Sequence, residues 1–415
     1  MKKNQLLIQL NGEQVGILEQ TLAGKMIFSY TSSATQAISI AMPIREEPYG
    51  ESQTEAYFGG LLPESETVKK IIGMRYGVSH NNTFGLLKAI GHDCAGAISC
   101  HATDDTIDTR SSYPLSGRTI TDDELYGYIK ELPRKPLFMD VDGLRLSLAG
   151  IHDKAAICMI DGKIALAENC PTTHILKPTS PHFEGLAENE YFCLKIAKRI
   201  GLPVPNIELR RIKDITFLLT ERYDRRIKNG AVERIHQEDF CQALSKLPSK
   251  KYQNEGGPGL KDCFELLMNT AQPAKNRNLL ASAVIFNYLI CNLDAHGKNF
   301  SLLHHTPSNI QLAPFYDIVC TRAYPDLSSK MAMKIGSKYE YDDLFPRHWE
   351  QLCHDINYRY IAIKELIYEQ ADLILNNAKL EKENLLSAGY KTKILDKIVT
   401  VIEKNINRTL ARFRP

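Results

Sequence analysis

The period of the apolar positions changes along the chain, and those changes mark its parts. Leu6, Ile8 and Leu10 alternate with other residues and Asn11-Gly12 follows, so the first segment predicts a strand turning through a hairpin into Val15 to Leu18. Lys25 to Tyr30 predicts another strand. Phe58 to Glu64 reads as a turn into a helix, on which Val68, Ile71 and Ile72 share one face. Thr83 to Gly91 predicts a short helix with Gly91 at its end. Residues 1–105 therefore read as a small α+β module, and the polar, Pro- and Ser-containing stretch Thr103 to Gly117 reads as a linker.

A second strand-rich region follows. Leu144, Leu146 and Leu148 alternate; Ala155 to Ile160 is an apolar run; Asp161-Gly162 is a hairpin turn returning through Lys163 to Ala167. His174 to Lys177 is a further short strand. Ala187, Tyr191, Leu194, Ala197 and Ile200 keep helical spacing, with Gly201 as cap and Pro203 forbidding continuation. Ile215 to Thr220 predicts a strand running into Glu221-Arg222-Tyr223-Asp224-Arg225. From about residue 235 the pattern turns helical. Leu279, Leu280, Ala283, Val284, Asn287 and Ile290 mark one helix, residues 349–375 another amphipathic stretch, and Leu395, Ile398, Ile402, Ile406, Leu410 and Phe413 the stripe of the last. Strands followed by helices predict an α+β, two-lobed plan divided as 1–105, 106–225 and 226–415.

Composition narrows the class. The 415 residues are 43% hydrophobic and 24% charged, enough apolar material for a sizeable core and against disorder. Lys plus Arg is 51 against 49 for Asp plus Glu, so the net charge of +2 argues against a dedicated nucleic-acid coat. No C-x-x-C pair occurs among the ten cysteines; buried reduced thiols in a cytoplasmic protein are the expectation. No signal-peptide core or membrane-length apolar run is present. His304-His305 reads as an exposed polar pair.

The chemistry concentrates in Asp294-Ala295-His296-Gly297-Lys298-Asn299. An Asp followed five residues later by an Asn has the spacing of a protein-kinase catalytic loop, where a carboxylate takes a hydroxyl proton beside a neutral oxygen ligand for a metal. On its own that spacing is equally an Asx-rich helix end. Asp317 ends the short run Ala313 to Tyr316, and Lys177 ends a strand upstream. The helix after it offers Glu188 and Glu190 as partners for Lys177, with Glu190 nearer the apolar stripe. Ser147 to Lys154 would place Gly150 and backbone N–H groups at a strand–turn–strand, which by itself is only a hairpin.

Taken in order, these pieces resemble the HipA family of serine/threonine-kinase toxins. The likeness is carried by Ser147 to Lys154, Thr172 to Lys177, Glu188 to Tyr191, Glu221 to Arg225, Gln237 to Asp239, Asp294 to Phe300 and Pro314 to Asp317. The N-terminal segments Phe58 to Pro63 and Phe84 to Gly96 look similar too. The resemblance implies ATP and Mg²⁺ as cofactors. Asp294 would be the catalytic base, and Asn299 and Asp317 the Mg²⁺ ligands. Lys177 and the loop Ala149, Gly150, Ile151, His152, Asp153 and Lys154 would bind phosphates. Glu221 and Tyr223 would offer backbone groups to adenine with Arg222 between them, and His296, Gly297, Lys298 and Tyr316 would line the nucleotide. Ser147 matches the family's autophosphorylated serine, whose modification expels the loop and silences the kinase. Ile151-His152-Asp153 departs from the small residue and Gln-Glu expected there.

The resemblance further implies growth inhibition, a HipB-like helix-turn-helix antitoxin held by the N-terminal module, and operator DNA reached through that complex. The substrate would be a translation component of the glutamyl-tRNA synthetase type, with no membrane partner. A small-molecule phosphotransferase and a catalytically silent corepressor are the other readings. The seven Lys and Arg residues from Lys391 to Arg414 are as well explained by a solvated helix face as by DNA.

Overall fold

The computed structural model describes residues 4–105, 108–132, 134–135, 154–180, 182–390 and 392–414. The strand expected around Leu146, together with Ser147, Ala149, Gly150, Ile151, His152 and Asp153, lies outside the described residues. The chain divides into two compact units and passes between them repeatedly. The first comprises residues 1–177, 219–250 and 301–310; the second comprises 178–218, 251–300 and 311–415.

The first unit opens with β1 (Asn4–Leu10), β2 (Glu13–Gln20) and β3 (Met26–Tyr30). Asn11 and Gly12 carry φ of 54° and 82°, the left-handed pair that a type I′ hairpin demands. Helices α1 (Glu51–Gly59), α2 (Glu66–Tyr76) and α3 (Thr83–Ile90) follow, then β4 (Ile98–Ala102), giving an antiparallel sheet ordered β3-β2-β1-β4. The Phe58 to Glu64 segment is thus the end of one helix and the approach to the next, with Ser65 capping α2 by accepting from the Val68 amide. Leu6, Ile8, Leu18, Phe28 and Phe58 are fully buried and form the core of this module.

The stretch expected as a linker is built into the unit. It holds β5 (Ser112–Pro114) and β6 (Gly117–Thr119), ahead of α4 (Asp122–Glu131), β7 (Ala155–Ile160), β8 (Lys163–Ala167) and β9 (His174–Pro178). β6 pairs with β8, and β8, β7 and β9 are successive neighbours. Asp161 and Gly162 supply the left-handed hairpin turn at φ of 49° and 76°. The chain then forms α5 (Leu186–Arg199), β10 (Ile207–Ile212) and β11 (Ile215–Glu221).

Residues beyond 225 are less uniformly helical than their periodicity predicts. β12 (Arg225–Lys228), β13 (Ala231–Arg234) and β5 form one small sheet. β14 (His236–Asp239) leads into the single turn α6 (Phe240–Ala243). After α7 (Leu260–Leu266) and α8 (Pro273–Leu289), β14 pairs with β15 (Ser301–Thr306), which neighbours β16 (Asn309–Leu312). β17 (Lys330–Ile335) and β18 (Lys338–Glu340) make a hairpin. The stretch expected over 349–375 is two helices, α9 (Pro346–Asp355) and α10 (Tyr360–Ser387), parted where Asn357 takes φ of 49°. The chain closes with α11 (Lys393–Phe413).

In the second unit α10 lies against α5, α8 and α11. The α11 stripe is buried at Leu395, Ile398, Ile402, Ile406 and Phe413, each such side chain contributing roughly 1.5–3 kcal/mol by leaving water. Leu410 is only half-buried. Two of the seven basic residues of this segment are engaged within the unit: Arg408 pairs with Asp342, and Arg412 donates to the Asp342 and Leu344 carbonyls. Among the described residues no helix is long and apolar enough to cross a membrane.

Candidate active site

The site begins where α8 ends. A helix leaves its last carbonyls unpaired, and here Asn405 of α11 donates its side-chain amide to the Tyr288 and Leu289 carbonyls at 2.8 and 3.1 Å. Cys291 then turns the chain at φ of 62°. Asn292 donates backbone and side-chain N–H groups to Asn287 and accepts the Asp294 amide at 3.2 Å. Thr321 donates its hydroxyl to the Cys291 carbonyl and accepts the Leu293 amide, both at 3.0 Å. The backbone entering Asp294 is therefore tied down from three sides.

The next six residues fold back on themselves. The Asn299 side-chain amide donates to the Asp294 carbonyl at 3.0 Å, and the His296 amide donates to the same oxygen at 2.8 Å. The Gly297 amide donates to the Lys251 carbonyl at 3.3 Å. The Asp294 carboxylate is half-exposed, and its Oδ1 accepts the Tyr252 hydroxyl at 2.8 Å. The Tyr252 ring stands edge-on to the buried His296 imidazole, with centroids 5.3 Å apart. An ionised carboxylate accepting a hydroxyl is the geometry from which a hydroxyl proton is taken.

The segment carrying Asp317 is held at three points. The Phe315 amide donates to the Pro203 carbonyl at 2.8 Å, and the Tyr316 hydroxyl donates to the Lys298 carbonyl at 2.7 Å. The Asn189 side chain grips Cys320, donating to its carbonyl at 3.1 Å and accepting its amide at 2.9 Å. Asp317 sits between these anchors at φ of 58°, a left-handed conformation that is uncommon outside glycine and tolerated best by Asn and Asp. Both side chains carry oxygen donors of the kind a hard cation takes. With its nitrogen on the Asp294 carbonyl, Asn299 offers its amide oxygen, and Asp317 offers carboxylate oxygens.

Other expected residues lie in the first unit. Lys154 immediately precedes β7, and Lys177 is half-buried near the end of β9. Glu221 and Tyr223 are half-buried at the end of β11. Between them the Arg222 amide is spent on the Thr173 carbonyl at 2.9 Å, and its guanidinium is buried, pairing with Asp224 at 2.8 Å and Asp93 at 3.6 Å. Arg225 and Arg234 join the same cluster, at 2.8 and 3.3 Å from Asp93. Desolvation pushes Asp93 up, but Arg225, Arg234 and Arg222 together outweigh it and hold its carboxyl well below the usual range. Arg222 is thus a structural support of this strip. Gly96 belongs to the cluster too. It donates to Asp224 at 2.7 Å, and at φ of 71° any Cβ would lie 2.6 Å from the Gln237 amide nitrogen.

In α5 both Glu188 and Glu190 are buried, and Glu188 accepts the Thr179 hydroxyl at 3.1 Å. His304 is no exposed loop residue. It is buried on β15 with its Nε2 2.9 Å from Glu238, which also accepts from Ser39 and the Ile40 amide; only His305 is exposed.

Residues 6–101 match the model of the HipA N-terminal domain, and residues 146–378 match that of the HipA-like C-terminal domain. The chain belongs to the HipA family. It is 42% identical over 354 residues to the proposed kinase Y4mE of Sinorhizobium fredii, covering 83% of this chain and 84% of that one. It is 31% identical over 308 residues to the serine/threonine-protein kinase toxin HipA of Shewanella oneidensis, covering 71% and 69%. A solved Shewanella oneidensis complex of HipA, HipB and operator DNA superposes with a TM-score of 0.84 at 25% identity, covering 98% of this chain and 97% of that one. The fold is accordingly the α+β, kinase-like fold of HipA, and the chain falls in the kinase class.

Within this HipA-family chain, hydrogen bonds of the second unit gather Asp294, His296, Gly297, Asn299, Lys298 and Tyr316. Tyr252 is the contributor that sequence reasoning missed. It lies 42 residues from Asp294 in a loop without motif or periodicity, so nothing local marks it. Asn189 and Thr321 are further supports that only the tertiary structure brings to the site.

Proposed function

We propose that this chain is an ATP- and Mg²⁺-dependent serine/threonine-protein kinase of the HipA toxin type. The observation that carries the reading is the Asp294 carboxylate, locked from behind by Asn299 and accepting a hydroxyl at 2.8 Å. A substrate Ser or Thr hydroxyl meets the carboxylate that the Tyr252 phenol positions, gives its proton to Asp294, and forms the new O–P bond as the bond to the ADP oxygen breaks. Asn299 and Asp317 would hold Mg²⁺, which would supply charge stabilisation for the transferring phosphoryl group. Lys177 and the loop Ala149 to Lys154 hold phosphates; Glu221 and Tyr223 present backbone groups to adenine; and His296, Gly297, Lys298 and Tyr316 line the nucleotide.

Ser147 is the residue this kinase modifies on itself, and its phosphate shuts the enzyme down. The HipA of Shewanella oneidensis is found with HipB and operator DNA; by family likeness we assign this chain a HipB-like antitoxin and, through it, DNA. Its substrate is a translation component of the aminoacyl-tRNA synthetase class, and its place of action the cytoplasm, in keeping with ten unlinked cysteines. Incubation with labelled ATP and Mg²⁺, followed by phosphosite mapping, tests the reading. Label on Ser147 supports it, while label only on an added small molecule replaces it with a small-molecule phosphotransferase.

A further inference from the structure

All ten cysteines are unlinked, and only Cys170 among them is not buried. Three thiol pairs lie in contact. Cys94 with Cys100 and Cys291 with Cys320 are sealed in the core. The third, Cys158 with Cys170, has its sulfurs 3.8 Å apart and one member reaching solvent. Cys158 is buried on β7, and Cys170 lies in the connection from β8 to β9.

The backbone already holds the two residues side by side. The Thr173 amide donates to the Ile157 carbonyl at 2.9 Å, and the Met159 amide donates to the Thr173 hydroxyl at 3.1 Å. Cys170 donates to the Ser116 carbonyl at 3.0 Å, and Cys158 lies 3.7 Å from the Pro171 carbonyl. Closing the sulfurs to the bond length of about 2.05 Å asks the Cys158 side chain on β7 and the Cys170 side chain in the connection to approach each other.

We propose that Cys170 is a site of oxidation by hydroperoxides and that Cys158 resolves it into a reversible disulfide. In the first step the Cys170 sulfur attacks one peroxide oxygen; the O–O bond breaks, a sulfenic acid forms, and the other oxygen leaves as water or alcohol. In the second step the Cys158 sulfur attacks the sulfenic sulfur; the S–S bond forms, and the hydroxyl leaves as water with the Cys158 proton. The two thiols lose two electrons and the peroxide gains them. The electrostatics support this division of roles. The hydrogen bond from Cys158 holds the Cys170 thiol down to about 7 against desolvation. That same bond, followed by burial, pushes Cys158 up. The disulfide staples β7 to the connection whose Thr173 carbonyl receives the Arg222 amide.

The test uses the full chain, reduced and then titrated with hydrogen peroxide, blocked with a maleimide and mapped without reduction. The expected product is one linked peptide pair joining Cys158 to Cys170, two hydrogens lighter and reversed by dithiothreitol. Cys94, Cys100, Cys291 and Cys320 should remain thiols at the same dose. Cys158→Ser should convert the end product to over-oxidised Cys170, and Cys170→Ser should leave Cys158 reduced. A wild-type chain that accumulates sulfinic acid at Cys170 without the link would overturn the proposal, as would a link from Cys170 to another cysteine. Both wild-type outcomes are read whether or not the variants fold.

Discussion

The Tyr252 hydroxyl donates to the Asp294 carboxylate at 2.8 Å, across 42 residues of sequence. The phenol holds the carboxylate where a substrate hydroxyl is expected to meet it, and its ring packs edge-on against His296 of the same loop. Tyr252 is therefore a positioning residue for the proposed base. Tyr252→Phe keeps the ring contact and removes one charge-assisted hydrogen bond, so we expect kcat to fall about tenfold. The KM for ATP should stay unchanged, because the ring and loop remain. Steady-state kinetics separates the two parameters, and a loss confined to KM would contradict this role.

Asp294→Asn removes the proton acceptor and keeps the shape. Phosphoryl transfer should drop by at least about 10²-fold with the fold intact by circular dichroism. Turnover at the wild-type rate would move the base elsewhere.

Asp317→Ala should weaken Mg·ATP binding, since a hard cation loses an anionic oxygen. It should also leave the anchors at Phe315, Tyr316 and Cys320 in place. Calorimetry of Mg·ATP against ATP alone reads the difference; an unchanged Mg·ATP affinity would make Asp317 a backbone device only.

The Asp93 cluster predicts a stability effect. Asp93→Asn leaves the buried Arg225 and Arg222 and the half-buried Arg234 with less compensation, and removing one partner of such a network costs about 3–5 kcal/mol. Adding Arg225→Met should recover part of that loss. Denaturant midpoints measure both, and simple additivity of the two losses would mean the residues are not coupled.

His236 sets an acid limit. Burial first, then His304, push its imidazole from 6.5 down to about 3 in the folded chain. The unfolded chain therefore binds this proton at a higher pH than the folded one, so stability falls as pH drops from about 6.5 toward about 3. The slope is up to about 1.4 kcal/mol per pH unit for this one group. His236→Gln should flatten the curve of unfolding midpoint against pH between about 6 and about 4, and parallel curves would contradict the assignment.

What the sequence makes legible is what is local. The Asn11-Gly12 and Asp161-Gly162 hairpins, the Leu186–Arg199 helix and the terminal helix stripe each declare themselves within a few turns of chain. The Asp294 and Asn299 pair is readable for the same reason: both lie in one loop, where Asn299 folds back onto the Asp294 carbonyl. β5 escapes notice because its partner strand lies far away, Ser112 pairing with Glu233, and its three residues carry no apolar alternation. His304 reads as exposed because His305, Thr306 and a Pro-Ser turn follow it, yet Glu238 gives it a buried partner. Tyr252 is invisible in sequence because its role exists only once the loop reaches Asp294.

We propose that this chain transfers phosphate from ATP through Asp294 and silences itself at Ser147. The most direct measurement follows labelled γ-phosphate from Mg·ATP onto the purified full chain, alongside the Asp294→Asn and Ser147→Ala variants. The expected result is label on Ser147 of the wild type, loss of ATP affinity in the labelled protein, and no label in either variant. Label of equal intensity in Asp294→Asn, or a Ser147-phosphorylated chain that binds ATP as tightly as the unmodified one, would contradict it.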